Sequence, residues 1–86
     1  MECYFLETQT WKRCADLSLP RSGTGVVSLH MRVYVIGGRY NTRNENYDCR
    51  EVERYDPFVN KWTLIKPMNH PRNRLGVAAI DHCIYA

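Results

Sequence analysis

Short apolar runs, each closed by a polar or glycine-bearing turn, set the rhythm of this chain. Gly25-Val26-Val27-Ser28-Leu29 reads as one strand, and Val33-Tyr34-Val35-Ile36 as its hairpin partner across a short polar turn. Val52 to Tyr55 reads as a third strand, closed by the turn pair Asp56-Pro57. Trp62-Thr63-Leu64-Ile65 reads as the fourth. β-Branched and aromatic residues dominate these segments and suit a pleated, half-buried surface. No segment shows helical periodicity, so the expected class is all-β.

The pattern repeats. Sliding the chain by 51 residues lays residues 1–35 over 52–86 and makes eight positions identical: Glu2/Glu53, Tyr4/Tyr55, Trp11/Trp62, Pro20/Pro71, Arg21/Arg72, Gly25/Gly76, Val26/Val77 and Tyr34/Tyr85. A period near 50 without helices is that of four-stranded propeller blades. Gly37-Gly38 closes the second strand, where paired glycines admit positive φ and close backbone approach. The expected division is 1–19 as the end of a preceding blade, 20–70 as a complete blade and 71–86 as the first strand pair of the next. On this reading the chain is about one and two-thirds blades of antiparallel four-stranded sheet. Blades bury their faces only against neighbours, so the chain alone is expected to be marginally folded and to bind peptide weakly.

Composition narrows the function. Hydrophobic residues are 44% and charged residues 24% of the chain, which fits a globular segment rather than a disordered tail. No apolar run reaches membrane-spanning length, and the N-terminus lacks a secretory-signal pattern. The net charge is +3, and nine of the twelve basic residues are Arg. Arg offers a rigid fork that matches carboxylates, whereas Lys acts as a point charge. No basic run or aromatic-interleaved basic stripe points to nucleic acid.

Cys3, Cys14, Cys49 and Cys83 form no Cys-x2-Cys pair, and reduced thiols in a cytoplasmic or nuclear protein are expected. Arg13 and Arg50 beside Cys14 and Cys49 raise the alternative of a reactive thiol, against a packing or idle role. His82 and Cys83 are adjacent and would face opposite ways on a strand, which argues against a catalytic pair. His30, His70 and His82 share no spacing and read as solvated. No metal, cofactor or catalytic residue is expected.

A Gly-Gly doublet, then Tyr55, six residues and Trp62 in a unit of this length resembles the kelch repeat, over essentially the whole chain. Ala15-Asp16-Leu17, Pro20-Arg21-Ser22-Gly23, Val35-Ile36-Gly37-Gly38-Arg39-Tyr40-Asn41 and Pro67-Met68 through Val77 are similar to the first repeats of the Kelch-like ECH-associated branch of that family. The branch consists of substrate adaptors of cullin-RING ubiquitin ligases in the oxidative-stress response. They capture cap-'n'-collar bZIP transcription factors through an acidic turn of Glu-Thr-Gly-Glu type. The resemblance implies a non-enzymatic protein-binding module whose peptide-binding residues are Ser22, Arg39, Asn41 and Arg74. The twelve-residue loop from Arg39 to Arg50 departs from the family, with Tyr40 and Arg43 changed near the pocket. Adaptor functions in cullin binding would lie in other domains. The alternatives are an actin-binding cytoskeletal kelch protein, or a copper radical oxidase on the same scaffold, which would need converging Tyr and His ligands.

Strand direction supports the same four residues. Ser22 precedes the first strand of an antiparallel hairpin, Arg39 and Asn41 follow the second, and Arg74 precedes the first strand of the next unit. All four are therefore expected at one rim. Two guanidinium groups there would favour a carboxylate, with Ser22 and Asn41 adding neutral hydrogen bonds. Arg74 could instead pair with Glu45 or Asp48, and Arg39 with loop carbonyls. Arg21 and Arg72 recur and are read as scaffold. Tyr4, Trp11, Tyr55 and Trp62 are read as packing aromatics between blades.

Overall fold

A computed structural model describes residues 1–86. The chain is all-β, built from antiparallel strand pairs. Ten strands follow in order: β1 (Glu2–Phe5), β2 (Thr10–Arg13), β3 (Gly25–Leu29), β4 (Arg32–Ile36), β5 (Arg39–Asn41), β6 (Asn46–Asp48), β7 (Val52–Asp56), β8 (Lys61–Leu64), β9 (Ala78–Ile80) and β10 (Cys83–Tyr85). A four-stranded antiparallel sheet in the order β3-β4-β7-β8 makes one whole blade. The hairpins β1–β2 and β9–β10 lie before and after it in sequence.

The core sits where the sheet is paired on both sides. β4 bonds to β3 and to β7, and Val35, Ile36, Val52 and Tyr55 are buried there with Cys49. β3 lies beside β9 of the next unit. A Cβ on Gly25 would run into the side chain of Val77, so glycine lets the two blades close. Only nine residues are buried, and Trp11 is 66% exposed although its counterpart Trp62 is half-buried. The whole blade carries the packing.

The period also shows in the backbone. Gln9 and Asn60 share left-handed φ values of 52° each, and His30 and Asp81 share φ of 49° and 53°, each pair one period apart. These are the tight turns joining β1–β2, β7–β8, β3–β4 and β9–β10, where positive φ matches the twist of the flanking strands.

The aromatic pairs sit within blades. Tyr55 opposes Trp62 across β7 and β8 with ring centroids 5.0 Å apart, and Tyr4 opposes Trp11 at 5.1 Å. Trp62 also reaches out of its blade, donating its indole N–H to the Ala15 carbonyl at 2.8 Å. The side-chain oxygen of Asn60 accepts from the Tyr55 hydroxyl at 2.7 Å and from the Ala15 N–H at 2.8 Å. The aromatic pair thus belongs to one sheet and anchors the segment that enters it.

Candidate functional site

The doublet at Gly37-Gly38 organises the rim. Gly37 and Gly38 have φ of 64° and 96°. A Cβ on Gly37 would lie 2.6 Å from the Arg72 carbonyl oxygen, and one on Gly38 would lie 2.7 Å from that of Ser22. Both positions require glycine for conformation and for space. The Gly38 N–H donates to the Arg72 carbonyl at 2.8 Å, and the Cys49 N–H donates to the Gly38 carbonyl at 2.8 Å. The end of one blade is thereby tied to the start of the next.

This network places three of the four expected residues side by side. Ser22 and Arg39 form an antiparallel bridge, with Ser22 N–H donating to Arg39 O at 3.1 Å and Arg39 N–H donating to Ser22 O at 2.7 Å. The Arg74 N–H donates to the Gly23 carbonyl at 2.8 Å, with Arg74 itself at φ 55°. Asn41 lies two residues beyond Arg39 in β5, so its side chain shares a face of the hairpin with that of Arg39. Ser22, Asn41 and Arg74 are exposed and Arg39 is half-buried.

The stretch from Arg39 to Arg50, expected as a loop, contains a hairpin. β5 pairs with β6 in the register Arg39↔Asp48, Tyr40↔Tyr47, Asn41↔Asn46. Thr42 and Glu45 close it through reciprocal bonds, the Glu45 N–H donating to Thr42 Oγ1 at 2.9 Å and the Thr42 N–H to Glu45 O at 2.7 Å. Its three-residue strands are polar and largely exposed, which hid them from an apolar-pattern reading. The register puts Arg39 Nε 3.0 Å from Asp48 Oδ1. Asp48 therefore pairs with Arg39 rather than Arg74, and Arg74 makes no ion pair.

Tyr40 and Tyr47 stack on the other face of the hairpin at 6.3 Å. The Tyr47 hydroxyl bonds to the Glu45 carboxylate, which holds the phenol above its ordinary pKa. Cys49 is buried beneath the hairpin, and desolvation pushes its thiol up against the opposing charge of Arg21. That environment corrects the reactive-thiol alternative for Cys49. No group of three or more His, Cys, Asp or Glu side chains is placed to hold a metal ion.

Arg21 is scaffold of a kind that repetition alone did not reveal. Its guanidinium donates to Glu53 Oε2 at 2.8 Å and to the carbonyls of Gly37 at 2.9 Å and Glu51 at 2.8 Å. Both members of the pair recur along the chain, so the signal was present in the sequence. Joining them required knowing that β7 passes behind Pro20-Arg21.

Comparison with known proteins agrees with this architecture. The model of the Kelch motif matches residues 20–69, more than half of the chain and spanning the whole blade. The chain belongs to the kelch family. It is 42% identical over 76 residues to Kelch-like ECH-associated protein 1B of Danio rerio, covering 88% of this chain and 13% of that protein. It is 35% identical to Kelch-like ECH-associated protein 1A of Danio rerio over 86 residues, all of this chain and 14% of the relative. Beta-scruin of Limulus polyphemus is 35% identical over 79 residues, 92% of this chain and 8% of the relative. The kelch segment thus spans about one-seventh of the two Danio rerio relatives.

Proposed function

We propose that this kelch segment is a protein-binding module, forming part of the docking surface of a cullin-RING substrate adaptor that receives an acidic turn. The similarity to two Kelch-like ECH-associated proteins supports the adaptor reading. The bridge between Ser22 and Arg39, with Arg74 bonded to Gly23 beside it, is the observation that carries the site. Arg39 spends its Nε on Asp48 and keeps its two Nη groups for a ligand. Arg74 is exposed and free of ion pairing. A ligand carboxylate would lie between them, and charge-assisted hydrogen bonds contribute about 1.5–3 kcal/mol each. Ser22 and Asn41 would fix the register of the turn through neutral bonds. The natural ligand class is a Glu-Thr-Gly-Glu-type segment of a cap-'n'-collar bZIP transcription factor, in the cytoplasm or nucleus.

The site needs no chemistry beyond binding. The test is calorimetric titration of a complete propeller carrying these residues with an acidic turn peptide and with its Glu→Gln counterpart. Binding of the acidic form, weakened at least about tenfold by neutralisation, supports the reading, since a tenfold change is about 1.4 kcal/mol. Equal affinity for both peptides contradicts it. Co-sedimentation with actin and no peptide binding would favour the cytoskeletal reading.

A further inference from the structure

At the opposite end of the blades two histidines meet. His30 lies in the β3–β4 turn and His82 in the β9–β10 turn, and their ring centroids are 4.9 Å apart at an interplanar angle of 62°. The sequence hides this, because the two occupy different positions of their repeats: His30 corresponds to Asp81, and Met31 to His82. Only the packing of β3 beside β9 brings them together.

We propose that His30 and His82 form a two-histidine site for an imidazole-preferring divalent transition metal such as zinc, clasping successive blades. Each imidazole is exposed and so open to an ion from solvent. Each stands on a tight turn whose backbone is set by left-handed residues, His30 and Met31 in one and Asp81 in the other. Zinc–nitrogen bonds are about 2.0–2.1 Å, so two ligating nitrogens lie roughly 3 Å apart. The rings meet edge to face with centroids 4.9 Å apart, so ligation of one ion requires the two side chains to turn toward each other. The nearby cation of Arg32 is engaged elsewhere, 3.2 Å from Asp56 and over the Phe58 ring, so it does not oppose a metal. Imidazole donors select zinc, copper or nickel over magnesium or calcium, and water completes the coordination. Blades in repeat architectures are held only by their neighbours, so one bond network across two turns fastens the interface directly. The site lies at the far end of the sheets from Arg39 and does not depend on the peptide reading.

The test is zinc titration of the full 86-residue chain, followed by imidazole nitrogen resonances, with His70 as the internal reference. His30→Asn and His82→Asn are compared with His70→Asn, because Asn tolerates a left-handed turn while removing the imidazole. One ring nitrogen each of His30 and His82 should shift together and saturate. Either variant should bind zinc at least about tenfold more weakly, since even outer-shell changes alter metal affinity by about 10–100-fold. His70→Asn and magnesium should have no effect. Metal binding couples to folding, so any gain in dispersed amide signals should occur with zinc in the unsubstituted chain and not in the two variants. Zinc affinity unchanged in both variants, perturbation of the exposed Cys3 or Cys83 instead, or no saturable histidine shift would overturn the proposal.

Discussion

The guanidinium of Arg21 meets the carboxylate of Glu53 at 2.8 Å with the two side chains 0% and 1% exposed. Glu53 uses its second oxygen to accept the Ser18 N–H at 3.0 Å, so the pair joins the entry segment, β4's end and β7. A buried pair of this kind adds little over an apolar replacement, but removing one partner strands the other charge. Arg21→Met or Glu53→Gln should each destabilise a complete propeller by about 3–5 kcal/mol in urea unfolding. A loss below about 1 kcal/mol, the range of exposed pairs, would show that the pair does not hold the blade.

Cys49 should be the slow thiol. Its burial favours the neutral form, and the thiolate is the nucleophile. Iodoacetamide should label exposed Cys3 and Cys83 first, with Cys49 at least about tenfold slower until denaturant is added. The sign of the linked pH effect follows. The folded pKa lies above the unfolded one, so this contribution is intact below pH about 8.5 and is lost as pH rises beyond it. Cys49→Ala should flatten that alkaline slope, and an unchanged slope would assign it to other groups.

The scaffold was far more legible in the sequence than the electrostatics of the site. Strands β3, β4, β7 and β8 carry β-branched and aromatic residues that recur one period apart, because sheet packing demands them in every blade. Arg39-Tyr40-Asn41 and Asn46-Tyr47-Asp48 carry no such demand. They form strands because the Thr42–Glu45 turn and the Tyr40–Tyr47 stack hold them, and short exposed hairpins leave no apolar alternation. The Arg39–Asp48 ion pair depends on that hidden register. The His30–His82 contact depends on the approach of two blades, which no local pattern encodes.

Asp48 is expected to act as a competitor. It lies 3.0 Å from Arg39, and both side chains are 42% exposed, so the pair contributes at most about 1 kcal/mol to stability. An incoming carboxylate meets its negative charge. Asp48→Asn should leave the unfolding midpoint nearly unchanged and strengthen acidic-peptide binding by roughly two- to fivefold, the scale of one exposed charge contact. Weaker binding by calorimetry would instead make Asp48 a positioning residue for Arg39.

Convergence of Arg39 and Arg74 on one ligand carboxylate is tested most directly by titrating the acidic turn peptide into a complete propeller bearing Arg39→Ala or Arg74→Ala. A loss of at least about tenfold is expected in each variant, with folding preserved, because each guanidinium supplies charge-assisted bonds that no neighbour replaces. Affinity equal to that of the unsubstituted propeller in both variants would contradict it.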